Sequence, residues 1–144
     1  MNEPRGIRNN NPLNIRRSAD KWQGQRPLSN SPEGEKTFCQ FYSMEYGWRA
    51  AFVILCRTYY GKYGLKTIRD IVTRWAPPKE NNTEAYIRRV TDRIGIGPDR
   101  VLGSPKEHPT QWMMIAMAMA IVECGTANLS PFRMLKGFAL AVDS

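Results

Sequence analysis

The sequence contains few of the residues that metal sites, disulfide frameworks and several hydrolase classes need. Among its 144 residues there is one histidine, His108, and three cysteines, Cys39, Cys56 and Cys124. The cysteines are odd in number and lack metal-ligand spacing, so neither a disulfide framework nor a metal site is predicted. The residue patterns of a Ser-His or Cys-His hydrolase are incomplete, and the Gly-x-x-x-x-Gly-Lys pattern of a phosphate-binding loop is absent. We therefore expect no cofactor and no nucleotide hydrolysis.

Long hydrophobic runs are also absent. The most apolar stretch, residues 112–122, is far shorter than the roughly 20 residues that span a bilayer. The N-terminus, MNEPRGIRNNNP, is polar and has no apolar core of a secretory signal. We expect a protein that is made in the cytoplasm without a signal peptide and has no transmembrane segment.

Acidic residues are too few to balance the basic ones: the sequence has 21 basic and 13 acidic residues and a net charge of +8. Such an excess favours a polyanionic partner, but nucleic acid, anionic lipid and carboxylate-bearing peptidoglycan all qualify. The length matches one domain, which we expect to span residues 1–144.

Helical periodicity dominates the sequence from Ser43 onward. Five helices are predicted from apolar spacing, caps and breakers: Ser43 to Gly61 or Gly64, Thr67 to Trp75, Asn82 or Thr83 to Ile94, Thr110 to Glu123, and Ser130-Pro131 to about Val142. Residues 1–40, rich in Asn, Pro, Gly, Ser and Arg, instead indicate loops with a small β-hairpin across the Ser29–Gly34 turn. The predicted fold class is mainly α, a single helical domain with a small β-hairpin or loop subregion at the N-terminus.

The fourth predicted helix contains the strongest candidate for a catalytic group. It is apolar on nearly every side, which is typical of the central helix of a domain, and its last residues before Gly125 are Glu123 and Cys124. Partial burial and the negative partial charge of a helix C-terminus both favour the protonated form of a carboxyl there. A general acid for glycosidic cleavage has to be protonated. The alternative is a glutamate frayed into solvent at a helix end.

The segment Arg5–Arg16, RGIRNNNPLNIR, resembles the RNNNPGNIR element of phage and prophage lysozyme-like proteins, often described as virion structural proteins, with Leu13 in place of the glycine. Residues 38–41, 45–50, 74–78 and 80–86 are similar to the rest of that family's pattern, and residues 82–86 also resemble the "ET..Y" helix of soluble lytic transglycosylases. The resemblance covers residues 5–95. It implies an α+β lysozyme-like fold that acts on peptidoglycan.

One departure from this family concerns the order of the segments. In longer relatives a helix ending in Glu-Gly precedes the asparagine-rich element, and its glutamate resembles the catalytic acid of the superfamily. Here the similar segment, Ala118–Gly125, follows that element. We hypothesise a circular permutation in which Glu123 packs beside the asparagine-rich loop, since domain termini commonly lie close together.

Further site residues are predicted for the second carboxylate and for sugar binding. Glu45, at the start of a helix, is either a second catalytic carboxylate or a favourable surface charge. Hydrolysis needs two carboxylates, whereas the resemblance to lytic transglycosylases implies one acid, so both reactions remain open. Aromatic and amide side chains are expected to bind the glycan: Trp22, Tyr42, Trp75 and Tyr86 by stacking, and Asn11 and Asn14 through N-acetyl groups. Trp75 and Tyr86 fall on apolar helix faces, so a core position is their alternative.

The sequence therefore predicts an enzyme that cleaves the glycan strands of peptidoglycan, as a muramidase or a lytic transglycosylase. Its delivery to the wall would depend on a phage or on lysis. One alternative is an inactive lysozyme-like module that binds wall or belongs to a virion. The other is a basic nucleic-acid-binding protein, but no recognised nucleic-acid motif accompanies the arginines.

Overall fold

The computed structural model describes residues 3–28 and 35–142. These residues form six α-helices and one π-helical segment: α1 (Arg5–Arg8), α2 (Met44–Phe52), the π segment (Val53–Lys62), α3 (Ile68–Trp75), α4 (Thr83–Ile94), α5 (Pro109–Cys124) and α6 (Pro131–Val142). The mainly α fold class is confirmed, and the five predicted helices begin and end within a few residues of their predicted bounds. The predicted first helix is α2 together with the π segment.

Local sequence signals explain where the helices begin and end. The side chain of Thr67 accepts a hydrogen bond from the backbone N–H of Asp70 at the start of α3, and Asn82 accepts one from Ala85 at the start of α4. These caps satisfy backbone donors that have no partner inside the helix. Gly95 and Gly125 end α4 and α5 at φ 71° and 67°, a left-handed conformation that glycine adopts without a steric penalty.

The hydrophobic core forms around α5, whose side chains Trp112, Ile115 and Met119 are fully buried. α4 packs along α5, while α2 packs along α6. Gly137 allows this second pair of helices to approach closely, because a Cβ there would lie 2.8 Å from the carbonyl oxygen of Glu45. Although α5 is apolar all round, no helix in residues 3–28 and 35–142 is long and apolar enough to cross a membrane.

Apart from α1, the described part of the N-terminal region before α2 is irregular. The turn of the expected hairpin, Ser29–Gly34, lies outside the described residues. In the described part of this region, β-pairing consists of two isolated antiparallel bridges, Arg16 with Phe38 and Gln25 with Phe41. The hairpin therefore remains a prediction.

The asparagine-rich loop, residues 9–14, places its unusual backbone angles at asparagines. Asn10 and Asn14 have φ of 53° and 51°. Asparagine tolerates this region better than other residues with a Cβ. Leu13, which stands where the resembling family has glycine, is not among the residues with positive φ, and its side chain is fully buried. The substitution is therefore compatible with the turn.

Candidate active site

A cleft of about 510 Å³ opens where the asparagine-rich loop meets the C-terminal end of α5. Its lining comes from three parts of the chain that are distant in sequence: Leu13, Asn14, Ile15, Arg16 and Phe38 from the N-terminal region, Tyr59, Trp75, Ala76, Pro77, Glu80 and Asn81 from the middle, and Glu123 from α5. Two carboxylates and one guanidinium are thus among the lining groups.

The carboxylate of Glu123 is partly buried and held in a fixed orientation. Its Oε2 accepts a hydrogen bond from the indole Nε1–H of Trp75 at 3.1 Å and one from the hydroxyl of Tyr86 at 2.9 Å. Oε1 has no hydrogen-bond partner within residues 3–28 and 35–142. Burial, followed by the neighbouring Glu123 carboxylate, raises the pKa of Tyr86 well above its ordinary value. Tyr86 therefore keeps its proton and remains a donor to Oε2.

The asparagine-rich loop packs directly on this end of α5. The side-chain Nδ2 of Asn14 donates to the backbone carbonyl of Glu123 at 3.1 Å, and the thiol of Cys124 lies 3.4 Å from the carbonyl oxygen of Pro12. Gly6 allows this close approach, because a Cβ there would lie 2.6 Å from Cys124 Sγ. The asparagine-rich loop and the C-terminal end of α5 are therefore in direct contact at the cleft.

An aromatic wall lies beside the carboxylate. Trp75 is partly buried and packs edge-on against Tyr59, with 6.5 Å between the ring centroids. Burial raises the pKa of Tyr59, so this phenol stays neutral as well. Nothing in the sequence distinguishes Tyr59, which lines the cleft, from a tyrosine of the core. Trp75 packs in part against the core and its indole N–H donates to Glu123, while stacking on a sugar stays a prediction.

Comparison with known proteins finds a relative in a bacteriophage. No family model matches the sequence. The chain is 39% identical over 137 residues to Protein P5 of Pseudoalteromonas phage PM2, and the match covers 93% of this chain and 79% of the phage protein. The chain belongs to the family of this phage P5 protein. The phage association is thereby established, while the relative's name states no activity.

Asn11, predicted to bind the glycan, is a structural residue in this member of the P5 family. Its side chain is fully buried. Nδ2 donates to the carbonyl oxygens of Ile15 and Cys39 at 3.0 and 2.9 Å, and Oδ1 accepts from the N–H of Ile15 at 2.9 Å. Both amide protons are therefore used inside the protein. The prediction was wrong because an asparagine that binds backbone has the same sequence signature as one that binds a ligand.

Trp22 and Tyr42, also predicted to stack on sugars, do not line the cleft. Trp22 is partly buried against the core, although its polar neighbours Lys21 and Gln23 indicated a surface aromatic. Tyr42 is 59% exposed, and the guanidinium of Arg26 lies 5.9 Å from the centroid of its ring. Of the predicted aromatic residues, Trp75 lines the cleft, whereas Tyr86 is buried, which was its alternative, and reaches Glu123 through its hydroxyl.

Glu45 is likewise not brought to the cleft. It lies near the start of α2, where its carboxylate pairs with Arg133 of α6 at 3.5 Å. The second carboxylate that lines the cleft is Glu80, in the exposed loop between α3 and α4. In the ranges that the structure describes, no three or more His, Cys, Asp or Glu side chains are grouped closely enough to hold a metal ion.

Proposed function

We propose that this protein cleaves the glycan strands of peptidoglycan, as a muramidase or a lytic transglycosylase, with Glu123 as the general acid. The observation that carries the proposal is the position of Glu123, a partly buried carboxylate that lines an open cleft and is oriented through one oxygen only. An acid that must protonate a bridging oxygen needs such a fixed position within hydrogen-bond reach of its substrate.

The hydrogen bonds assign different tasks to the two carboxyl oxygens. Oε2 is occupied by Trp75 and Tyr86, so the transferable proton belongs on Oε1. In the proposed reaction this proton moves to the oxygen of the β-1,4 linkage as the glycosidic bond breaks, and positive charge develops on the muramic sugar. The resulting Glu123 carboxylate then stabilises that charge. Trp75 and Tyr86 hold Oε2 throughout.

The proposal of a lysozyme-like domain is supported by sequence and contact together. The motif that resembles the family's asparagine-rich element contacts the residue that resembles its catalytic acid, through Asn14 and Glu123. Membership of a phage protein family is consistent with an enzyme that opens a bacterial wall. A circular permutation would explain why the two segments adjoin in space although they lie at opposite ends of the chain.

The fate of the muramic sugar distinguishes the two reaction types. A hydrolase needs a second carboxylate to activate water or act as nucleophile, whereas a transglycosylase uses a hydroxyl of the substrate. Glu80 is the second carboxylate of the cleft and takes the place that we had expected for Glu45. Hydrolysis would give reducing ends, and transglycosylation would give 1,6-anhydro ends.

The test is the loss of turbidity of purified sacculi, with mass spectrometry of the released fragments. Glu123→Gln keeps the shape of the side chain but removes the transferable proton, so we expect activity to fall by at least about 100-fold. The matched control is Glu45→Gln, an equal change outside the cleft, which should retain activity. Equal lysis by wild type and Glu123→Gln would contradict the proposal. Binding of sacculi without lysis by the wild type would favour the inactive wall-binding module.

A further inference from the structure

Arg16 is the cation of the candidate cleft, and nothing in the proposed acid chemistry uses it. Its side chain is exposed and lines the same cleft as Glu123. The other charged lining groups are the carboxylates Glu80 and Glu123. In the described part of the chain the Arg16 side chain has no ion pair and no hydrogen bond. An arginine that lines a cleft without a carboxylate of its own is available to bind one from a ligand.

The position of this guanidinium is nevertheless defined. It lies 5.1 Å from the centroid of the Phe38 ring, which also lines the cleft. The backbones of Arg16 and Phe38 pair in an antiparallel bridge, which fixes the two residues relative to each other. Arg5 lies 4.8 Å from the centroid of the same ring, but it is also close to a carboxylate, that of Glu35, at 3.6 Å. Arg16 is thus held by an aromatic face while its hydrogen-bond donors remain available.

We propose that Arg16, supported by Phe38, forms a subsite that binds a carboxylate of the peptide stem of peptidoglycan. This inference rests on the proposed function and adds to it a determinant of substrate choice. The lactyl group of muramic acid also contains a carboxyl group. In intact strands, however, that carboxyl is joined to the peptide as an amide and is not free. The free carboxylates of an intact strand therefore belong to its stems. A neutral glycan of the same backbone would lack this contact.

The experiment measures binding first, by co-sedimentation with purified sacculi, and compares wild type with Arg16→Gln. Three substrates separate the contributions: native sacculi, sacculi whose free carboxyls have been amidated, and glycan strands from which an amidase has removed the stems. We expect Arg16→Gln to weaken binding to native sacculi roughly fivefold, which is the loss of affinity expected when one exposed ion pair is removed. On amidated sacculi the two proteins should bind equally. Arg88→Gln is the matched control, since it removes one exposed charge on α4 away from the cleft.

Each outcome bears on the subsite separately from catalysis. An equal loss for Arg16→Gln on native and amidated sacculi would overturn the proposal, because Arg16 would then contact the glycan or support the fold. An equal loss for Arg88→Gln would overturn it too, by showing that general charge attraction is the cause. On stem-free strands, whose lactyl carboxylate the amidase has exposed, the defect should be smaller than on native sacculi; a larger defect there would overturn the stem assignment, because Arg16 would then prefer the lactyl carboxylate. If sacculi are also cleaved, the defect should appear in KM and not in kcat, whereas absence of cleavage contradicts the proposed function and leaves the binding comparison valid.

Discussion

The N-terminal region before α2 and the helical body from α2 to α6 satisfy their backbone polar groups in different ways. In the helices the backbone bonds to itself, and burial of apolar side chains holds the helices together. In the N-terminal region side-chain amides do much of this task. Asn11 bonds to Ile15 and Cys39, and Asn10 donates to the carbonyl oxygen of Phe41. The candidate cleft lies where the two regions meet, so its shape depends on both.

The largest expected effect comes from removing an amide that holds the irregular region. Asn11→Ala leaves the N–H of Ile15 and the carbonyl oxygen of Cys39 without their buried partner, while the carbonyl oxygen of Ile15 keeps the N–H of Cys39. Each unsatisfied buried group costs about 1–3 kcal/mol, so the free energy of unfolding should fall by about 4 kcal/mol in urea denaturation. Asn81→Ala removes one exposed amide and should change it by less than about 0.5 kcal/mol. Similar small losses for both would show that the loop does not depend on side-chain amides.

The next largest effect is expected at the contact between the asparagine-rich loop and α2. Gly47 on α2 touches the carbonyl oxygen of Asn10, and an added Cβ would overlap that oxygen. Gly47→Ala should therefore destabilise the protein by about 2 kcal/mol and displace the asparagine-rich loop. The control is Gly97→Ala, because a Cβ there meets no atom within 4 Å. An unfolding midpoint for Gly47→Ala as high as that of the control would contradict the close contact between loop and helix.

Alkaline pH should weaken the helical body through two thiols, of which Cys124 is buried and Cys56 partly buried. Burial raises the pKa of Cys56 to about 12, and burial together with Glu123 raises that of Cys124 to about 11, from 9.0. The unfolded chain therefore loses protons that the folded chain keeps, and the free energy of unfolding should decrease as pH rises from about 9 towards 12. Urea titrations at pH 8 and 10.5 measure the decrease. In Cys56→Ala it should be smaller, and an unchanged decrease would exclude that thiol as a cause.

The smallest effect is expected from surface charges. Arg69 pairs with Asp99 at 2.8 Å and with Glu84 at 2.9 Å, and all three side chains are substantially exposed. Water and salt screen such pairs, so Arg69→Gln should leave the urea midpoint within experimental error of the wild type at 0.15 M salt. A clear drop in the midpoint would show that ion pairs, in addition to packing, stabilise the contact between α3 and α4.

The sequence predicted the helical body well because its signals are local. The apolar spacing of α5, the caps Thr67 and Asn82, and the glycines that end α4 and α5 act within one or two turns of helix. These signals do not depend on where the rest of the chain lies. The end of α5 could therefore be assigned to within one residue, and Glu123 could be singled out at its end.

The N-terminal region and the lining of the cleft could not be predicted to the same extent, because they depend on contacts between distant residues. Asn11 and Asn14 lie in one motif and both donate to backbone carbonyls, yet only Asn14 also lines the cleft. Trp22 has polar neighbours but packs against the core. Tyr59 lies on the π segment, lines the cleft and packs against Trp75, which is distant from it in sequence. No periodicity in the sequence reports such distances.

The central claim is that the cleft between the asparagine-rich loop and α5 receives the glycan, and an NMR titration tests it most directly. Isotope-labelled Glu123→Gln, which keeps fragments intact, is titrated with soluble peptide-bearing glycan fragments. The chain has four tryptophans, and each indole N–H gives its own signal. The account predicts that the signal of Trp75 shifts on binding while that of Trp22 stays in place. A shift of Trp22 with Trp75 unchanged would contradict the account and move the binding site away from Glu123.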